Sequence, residues 1–341
     1  MKLILLLVSA VVTVGLTNSA FSQTTPSGGS TMKAIVVQQP GGTEALKLQD
    51  APRPQPKGDE VLIKVMAAGV NPVDAFIRAG RFGGGGNSAF TPGMDVAGVV
   101  EATGTNARKF KKGDPVYAYL SFDEQGGYAE YCTARESEVA LKPNNISFEQ
   151  AAGVPLAGTT AWQALMDTAG LKSGQTVLIH GGSGGVGHLA IQIAKAQGAK
   201  VIATASTANQ DFLKEMGADQ AIDYTKTKFE DVVKEVDVVM DCTRSDALAR
   251  SYGVVKKGGF VVTITGEPDK AELEKHGLRG DSLMAHPASK VLDELSKLIE
   301  GKKLTPVVSQ TFPLAEANKA HQQIETRHTR GKVVLKVGDA G

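Results

Sequence analysis

The segment Gly181-Gly182-Ser183-Gly184-Gly185-Val186-Gly187 constrains this chain more than any other stretch. It holds G-x-G-x-x-G as Gly182, Gly184 and Gly187. It follows an apolar strand, Thr176–His180, and opens a helix whose apolar positions include Leu189, Ile193 and Ala196. Glycines there let the backbone turn tightly and approach a pyrophosphate. The helix N-terminus adds free N–H groups and the positive end of its dipole. Gly182, Ser183, Gly184, Gly185, Val186 and Gly187 are therefore assigned to a bound dinucleotide. A glycine turn kept for packing alone is the competing reading.

The surrounding pattern agrees. Strands are expected at Thr176–His180, Lys200–Ala205, Ala221–Tyr224, Val236–Asp241 and Phe260–Thr265, with helices at Leu189–Gln197, Gln210–Met216 and Ala247–Val254. Regular β–α alternation predicts an α/β fold with a doubly wound parallel sheet of the Rossmann kind. The second strand then selects the cofactor. An NAD site places Asp or Glu at its end, whereas Val201 to Gln210 contains no acid and ends in Thr204-Ala205-Ser206-Thr207. Hydroxyls without a carboxylate accommodate a 2′-phosphate, which predicts NADP(H), with Ser206 at the phosphate. No Arg or Lys stands in the same stretch. Tyr224 either adds a phosphate bond or is a partly buried core tyrosine.

Met32 to about Ala152 reads as β-rich, with strands at Lys33–Val37, Glu60–Ala68 and Asp95–Ala102. Before it, Lys2 precedes an apolar run, Leu3–Leu16, shorter than the roughly 20 residues a membrane span needs. Ala20 and Ser22 are small residues two apart, so residues 1–22 read as a signal peptide cleaved after Ser22, and 23–31 as a linker. Export to the periplasm or beyond follows; an uncleaved short membrane anchor is the competing reading, and translation starting at Met32 would instead leave a cytoplasmic protein. A net charge of +1, from 37 Lys+Arg and 36 Asp+Glu, excludes a strongly basic nucleic-acid binder. Neither a nucleic-acid nor a membrane partner is expected for the mature chain. Two cysteines, Cys132 and Cys242, permit no cysteine-rich zinc site and read as buried small hydrophobes.

Further motifs stand in order: Gly69-Val70-Asn71-Pro72-Val73-Asp74, Pro92-Gly93-Met94-Asp95-Val96-Ala97-Gly98, Gly126-Gly127-Tyr128-Ala129-Glu130-Tyr131, Ala157-Gly158-Thr159-Thr160-Ala161 and Gly331-Lys332-Val333-Val334-Leu335. With these, Met32–Val337 resembles the zinc-independent, quinone-oxidoreductase-like branch of the medium-chain dehydrogenase/reductase superfamily. The resemblance implies a GroES-like β-rich catalytic domain (32–154) that resumes at 288–338 around an inserted Rossmann NADP-binding domain (155–287), and a homodimer. Phe260–Thr265 is a reasonable pairing edge for that dimer.

Zinc-using relatives carry Cys where this chain has Asn71 and His where it has Met94. Neither Asn nor Met suits a catalytic zinc, so no metal is expected. Hydride transfer to a quinone or an α,β-unsaturated carbonyl is the easier reaction without a Lewis acid. The resemblance places Asn71 beside the nicotinamide, its amide donating to the developing oxyanion, and Thr160 at the nicotinamide or ribose. Asn71-Pro72 as a mere turn and Thr160 as a helix-start residue are their alternatives. Asp74 is expected to fix its loop, Tyr128 to pack in the core, and Arg81–Asn87 to cover the acceptor. Phe76 replaces a polar residue of some relatives, leaving proton delivery to water. Arg244 either touches cofactor or is merely exposed. Two readings result: an NADPH-dependent reductase, and an exported non-catalytic binding protein that retains the fold.

Overall fold

The computed structural model describes residues 30–82, 88–124 and 126–338. The expected leader lies outside them, as do residues 83–87 of the expected acceptor loop. Residues 23–29 of the expected linker lie outside them too. Thr31 is already the first residue of β1 (Thr31–Val36), which pairs antiparallel with β2 (Lys47–Pro52).

The catalytic part continues through β3 (Glu60–Val70), α1 (Pro72–Arg78), β4 (Asp95–Thr103), β5 (Pro115–Tyr119), β6 (Tyr131–Arg135), β7 (Val139–Leu141), α2 (Phe148–Ala152) and α3 (Pro155–Trp162). A π-helical stretch, Gln163–Thr168, extends α3. β3 pairs with both β4 and β6 and is buried over nearly its whole length, which explains its run of Val, Leu, Ile and Ala.

The nucleotide part comprises β8 (Thr176–His180), α4 (Gly187–Ala196), β9 (Lys200–Ala205), α5 (Gln210–Glu215), β10 (Gln220–Asp223), α6 (Phe229–Val232), β11 (Val236–Asp241), α7 (Ala247–Ser251), β12 (Val255–Thr263), α8 (Lys270–His276) and β13 (Arg279–Ser282). Its six strands are all parallel, in the order β10-β9-β8-β11-β12-β13. The chain leaves β8 toward one edge and returns at β11 toward the other. That reversal opens a crevice at the carboxyl ends of β8 and β11, where open α/β sheets bind ligands. Val177, Leu178 and Ile179 are fully buried at this centre. Each contributes about 1.5–3 kcal/mol.

Phe260–Thr265 is not an edge. β13 pairs with β12 from Phe260 opposite Arg279 to Thr263 opposite Ser282. β13 reads Arg-Gly-Asp-Ser, with no apolar alternation to announce it in the sequence. The chain then returns through α9 (Ser289–Glu300), β14 (Val308–Pro313), α10 (Ala317–Glu325) and β15 (Lys332–Lys336). β15 pairs with β3 and completes a seven-stranded sheet, on whose principal path β14-β15-β3-β4-β5-β7 run in order. α9 joins the two parts. Its Leu292 and Leu295 share a core with Val177 and Ile179, and its Leu292 carbonyl accepts from the Tyr117 hydroxyl of β5 at 2.6 Å.

Candidate active site

The glycine turn divides into residues that packing demands and residues that it does not, of which Gly184 is the clearest. Gly181 has φ +74°. A Cβ on Gly187 would stand 2.1 Å from the Gly181 carbonyl oxygen, and one on Gly182 2.9 Å from Leu213. These positions must be glycine for the turn to close. Gly184 lies outside the left-handed region, and a Cβ there would meet only the Gly181 oxygen at 3.4 Å, an ordinary contact. Protein packing does not explain this glycine. The open space around it is what a pyrophosphate approaching the N-terminus of α4 would need. Val186 precedes α4 with its side chain against the core, and the Ser183 carbonyl accepts the Gly331 N–H at 2.9 Å. His188 braces the turn from within. It bonds the Gly184 carbonyl through Nδ1 at 2.9 Å, and its Nε2 accepts the Val307 N–H at 3.3 Å. Burial pushes its pKa down to about 4, so the ring is neutral.

At the carboxyl end of β9, Ser206 is half-buried, its hydroxyl accepting from the Asn209 amide at 3.2 Å. Tyr224 follows β10 and is 57% exposed, which removes the core-tyrosine alternative and leaves its ring free beside the site. The base absent from this stretch of sequence is supplied in space by Arg330. Its Nε donates to Asn209 Oδ1 at 3.0 Å, Nη2 donates to the Ala208 carbonyl at 2.9 Å, and its guanidinium lies 5.2 Å from the Phe212 ring centroid. Ser206, Tyr224 and Arg330 together suit a 2′-phosphate. Asp223 is the nearby acid, but its carboxylate accepts from the Thr207 and Thr225 hydroxyls at 2.6 Å each. Sequence reasoning missed Arg330 because 121 residues separate it from Asn209. With it, the non-catalytic reading loses one of its grounds.

Asn71 caps α1, but with its backbone: its carbonyl accepts the Asp74 N–H at 3.0 Å, and the Asp74 carboxylate accepts the Asn71 N–H at 2.8 Å. The side chain turns elsewhere, so the residue is more than a turn. Its Nδ2 donates to Asp95 Oδ2 at 2.9 Å, and its Oδ1 accepts from the Lys332 ammonium. Asp95 Oδ1 accepts the Leu156 N–H at 2.7 Å, satisfying the start of α3. Burial pushes the Asp95 carboxyl up, against the pull of Lys332 and Asn71. Thr160 is not at a helix start. It lies one turn further along α3, its hydroxyl donating to the Leu156 carbonyl at 2.7 Å, and it is 5% exposed. Asp95 and Lys332 belong to motifs visible in the sequence; a charge set inside an otherwise apolar run was the signal that could have marked them.

Asp74 does fix its loop, yet it is no ordinary Asp. Burial pushes its pKa up to about 7, against the Asn71 N–H and the Tyr128 hydroxyl, and its Oδ1 has no partner. Tyr128 is fully buried, donating to Asp74 Oδ2 at 3.0 Å and standing 3.2 Å from His321 Nε2. His321 Nδ1 accepts from Arg78 at 3.1 Å, and Arg78 pairs with Glu325 at 2.6 Å. α1 is thus anchored to α10.

Across the crevice, the exposed Arg244 stacks its guanidinium 4.4 Å from the Phe76 centroid. Phe76, Phe82 and Phe122 follow one another at 6.0 and 6.3 Å. Met94 sits in an apolar cluster with Ile77 and Tyr119. Among the described residues, no group of three His, Cys, Asp or Glu is placed to hold a metal, and no helix is long and apolar enough to cross a membrane.

Residues 57–171 match the family described as "Alcohol dehydrogenase GroES-like domain", and 216–335 the one described as "Zinc-binding dehydrogenase". The Arabidopsis thaliana chloroplastic NADPH-dependent alkenal/one oxidoreductase is 42% identical over 316 residues, 89% of this chain and 79% of that protein. The Sus scrofa quinone oxidoreductase is 36% identical over 327 residues, 91% of this chain and 99% of that one. Among solved structures, the Coxiella burnetii quinone oxidoreductase superposes with a TM-score of 0.83 at 38% identity, over 91% of this chain and 100% of that one. A mycobacterial protein complexed with NADPH gives 0.81 at 33% identity, over 89% and 100%. An oxidoreductase fold with the glycine cradle intact, Asn71 and Met94 at the zinc-ligand positions, and relatives that match nearly end to end lead to one assignment: this chain belongs to the zinc-independent, quinone-oxidoreductase-like branch of the medium-chain dehydrogenase/reductase superfamily.

Proposed function

We propose that this protein uses NADPH to reduce a conjugated carbonyl: a quinone, or an α,β-unsaturated ketone or aldehyde. The observation that carries the reading is the Asn71 side chain. Lys332 and Asp95 hold it, and among the described residues one of its two amide N–H bonds has no acceptor. The names of the relatives support the same acceptor classes and the same cofactor.

When bound, the reduced nicotinamide supplies the hydride. Gly182 to Gly187 receive the pyrophosphate, and Ser206, Tyr224 and Arg330 the 2′-phosphate. Phe76, Phe82 and Phe122 offer a flat acceptor an apolar wall. As the conjugated carbon takes the hydride, an electron pair moves onto the acceptor oxygen, and the free Asn71 N–H stabilises the charge that gathers there. A proton from water then completes the saturated carbonyl or the hydroquinone.

The test follows NADPH oxidation with quinones and enones for the wild type and Asn71→Ala. The variant is expected to bind NADPH but to lose about 10²–10³ in the rate of hydride transfer. An unchanged rate would remove Asn71 from the mechanism. A wild type that reduces no acceptor of either class would refute the reading.

The reading includes a homodimer, supported by the exposed edge strand β13; a monomeric mass in solution would overturn it. It also includes export, supported by Lys2, the apolar run and the Ala20/Ser22 spacing. A secreted chain beginning at Gln23 is the expected product. A chain that keeps residues 1–22 as an uncleaved membrane anchor, or one that starts at Met32 and stays in the cytoplasm beside its cofactor, would overturn it.

A further inference from the structure

We infer that Lys332 is a positioning residue: it locks the orientation of the Asn71 amide and strengthens the one N–H of Asn71 that has no acceptor among the described residues. The inference rests on the acceptor reading above.

The Lys332 and Asp95 side chains are 3% and 0% exposed, with Nζ 3.4 Å from Oδ2. Burying such a pair is weak evidence of a stabilising role, because well-packed apolar residues often do as well or better. The pair closes a triangle instead. Lys332 donates to Asn71 Oδ1 and to Asp95 Oδ2, and Asp95 Oδ2 accepts from Asn71 Nδ2. An ammonium can only donate and a carboxylate can only accept, so the partners dictate which end of the amide is oxygen. A cation at the amide oxygen draws electron density from the nitrogen, and polarised hydrogen bonds reinforce one another.

The lysine is also placed to reach both halves of the site. A Cβ on Gly185, in the glycine turn, would lie 3.2 Å from Lys332 Cδ, and one on Gly153 3.4 Å from its Cβ and Cγ. The stem thus runs from the pyrophosphate turn to Asn71. Around the ammonium, Asp95 is its counter-ion, Asp74 lies close enough to feel its charge, and His188 is held neutral. Without Lys332, the Asp95 carboxylate would face Asn71 alone and repel the developing oxyanion.

The test uses Lys332→Met and, because that variant strands a buried carboxylate, the double variant Lys332→Met/Asp95→Asn. Single-turnover NADPH oxidation is measured with enones whose enolates differ in basicity. Both variants are expected to bind NADPH within about threefold of wild type. Their hydride transfer should fall roughly 10–100-fold, less than for removal of the oxyanion donor itself. The loss should grow with enolate basicity, a trend that a purely structural role would not produce. A folded double variant that keeps its rate, or loses the same factor with every acceptor, overturns the inference. A second readout needs no turnover: the side-chain amide proton signals of Asn71 in ¹⁵N-asparagine-labelled protein, assigned with Asn71→Asp. Wild type should show them displaced from ordinary asparagine and protected from exchange, and both features should vanish in the double variant. Unperturbed wild-type signals also overturn the inference. A wild type inactive on all acceptors refutes the acceptor reading, while the amide signals still decide the role of Lys332.

Discussion

Gly184→Ala and Gly187→Ala, one methyl each and three residues apart, should behave as opposites. At 187 the new Cβ would lie 2.1 Å from the Gly181 oxygen and 2.8 Å from the Gly182 Cα, both rigid backbone. The turn must open, and the chain should lose stability by about 1–3 kcal/mol, as overpacked sites do. At 184 the nearest atom is 3.4 Å away, and the backbone already suits an L-residue. Stability there should change by less than about 1 kcal/mol, and can rise, because alanine restricts the unfolded chain. Binding should divide the other way. The methyl at 184 occupies the approach to α4, so the pyrophosphate forfeits at least one charge-assisted hydrogen bond, about 1.5–3 kcal/mol. That corresponds to a roughly 10–150-fold weaker Kd. The assays are urea unfolding without nucleotide and NADPH titration followed by quenching of the single tryptophan, Trp162. A Gly184→Ala protein that binds NADPH like wild type would refute the cradle and return the glycines to packing alone.

Arg330→Ala should weaken NADPH binding about 10–100-fold while leaving NADH within about threefold, since only the 2′-phosphate bond is lost; equal losses for both cofactors would place Arg330 elsewhere. Asp74 gives stability a pH dependence of unusual sign. Between pH 3.8 and about 7 the folded chain holds a proton that the unfolded chain has released, so stability falls as pH rises through that window. Asp74→Asn should therefore reduce the stability difference between pH 5 and pH 8 by roughly 2–3 kcal/mol in urea unfolding, and an unchanged difference would show that the carboxyl is not so displaced. The buried His180, His188 and His321, held near pKa 4, 4 and 3, act oppositely. Their contribution is present above pH 6.5 and lost as pH falls through those values, so His321→Gln should lower the acid-side slope of stability by about one proton, 1.36 kcal/mol per pH unit.

The nucleotide sheet was legible because its signals are local. Strand, glycine turn and helix lie within some twenty residues, and observed strands such as Thr176–His180, Lys200–Ala205 and Val236–Asp241 coincide with the apolar runs that announced them. β13 was not legible. Three polar residues and a glycine pair there because β12 offers an open ladder, not because their side chains favour a strand. Asn71 could be singled out by type, but its partner Lys332 lies 261 residues away. Such convergence is set by how β15 docks against β3, and no spacing in the sequence encodes it. Arg330 was hidden in the same way: the base that the proposed 2′-phosphate site lacks in one dimension stands beside it in three.

Residues 330, 331 and 332 reach three different places: the end of β9, the glycine turn and Asn71. All three follow every strand of the parallel sheet in the sequence. As the chain emerges from the ribosome, the parallel sheet has all its strands long before the nucleotide site has its final members. A chain cut before Arg330 would keep every strand of that sheet and none of those contacts, so the sheet and the proposed cofactor site are separable along the sequence.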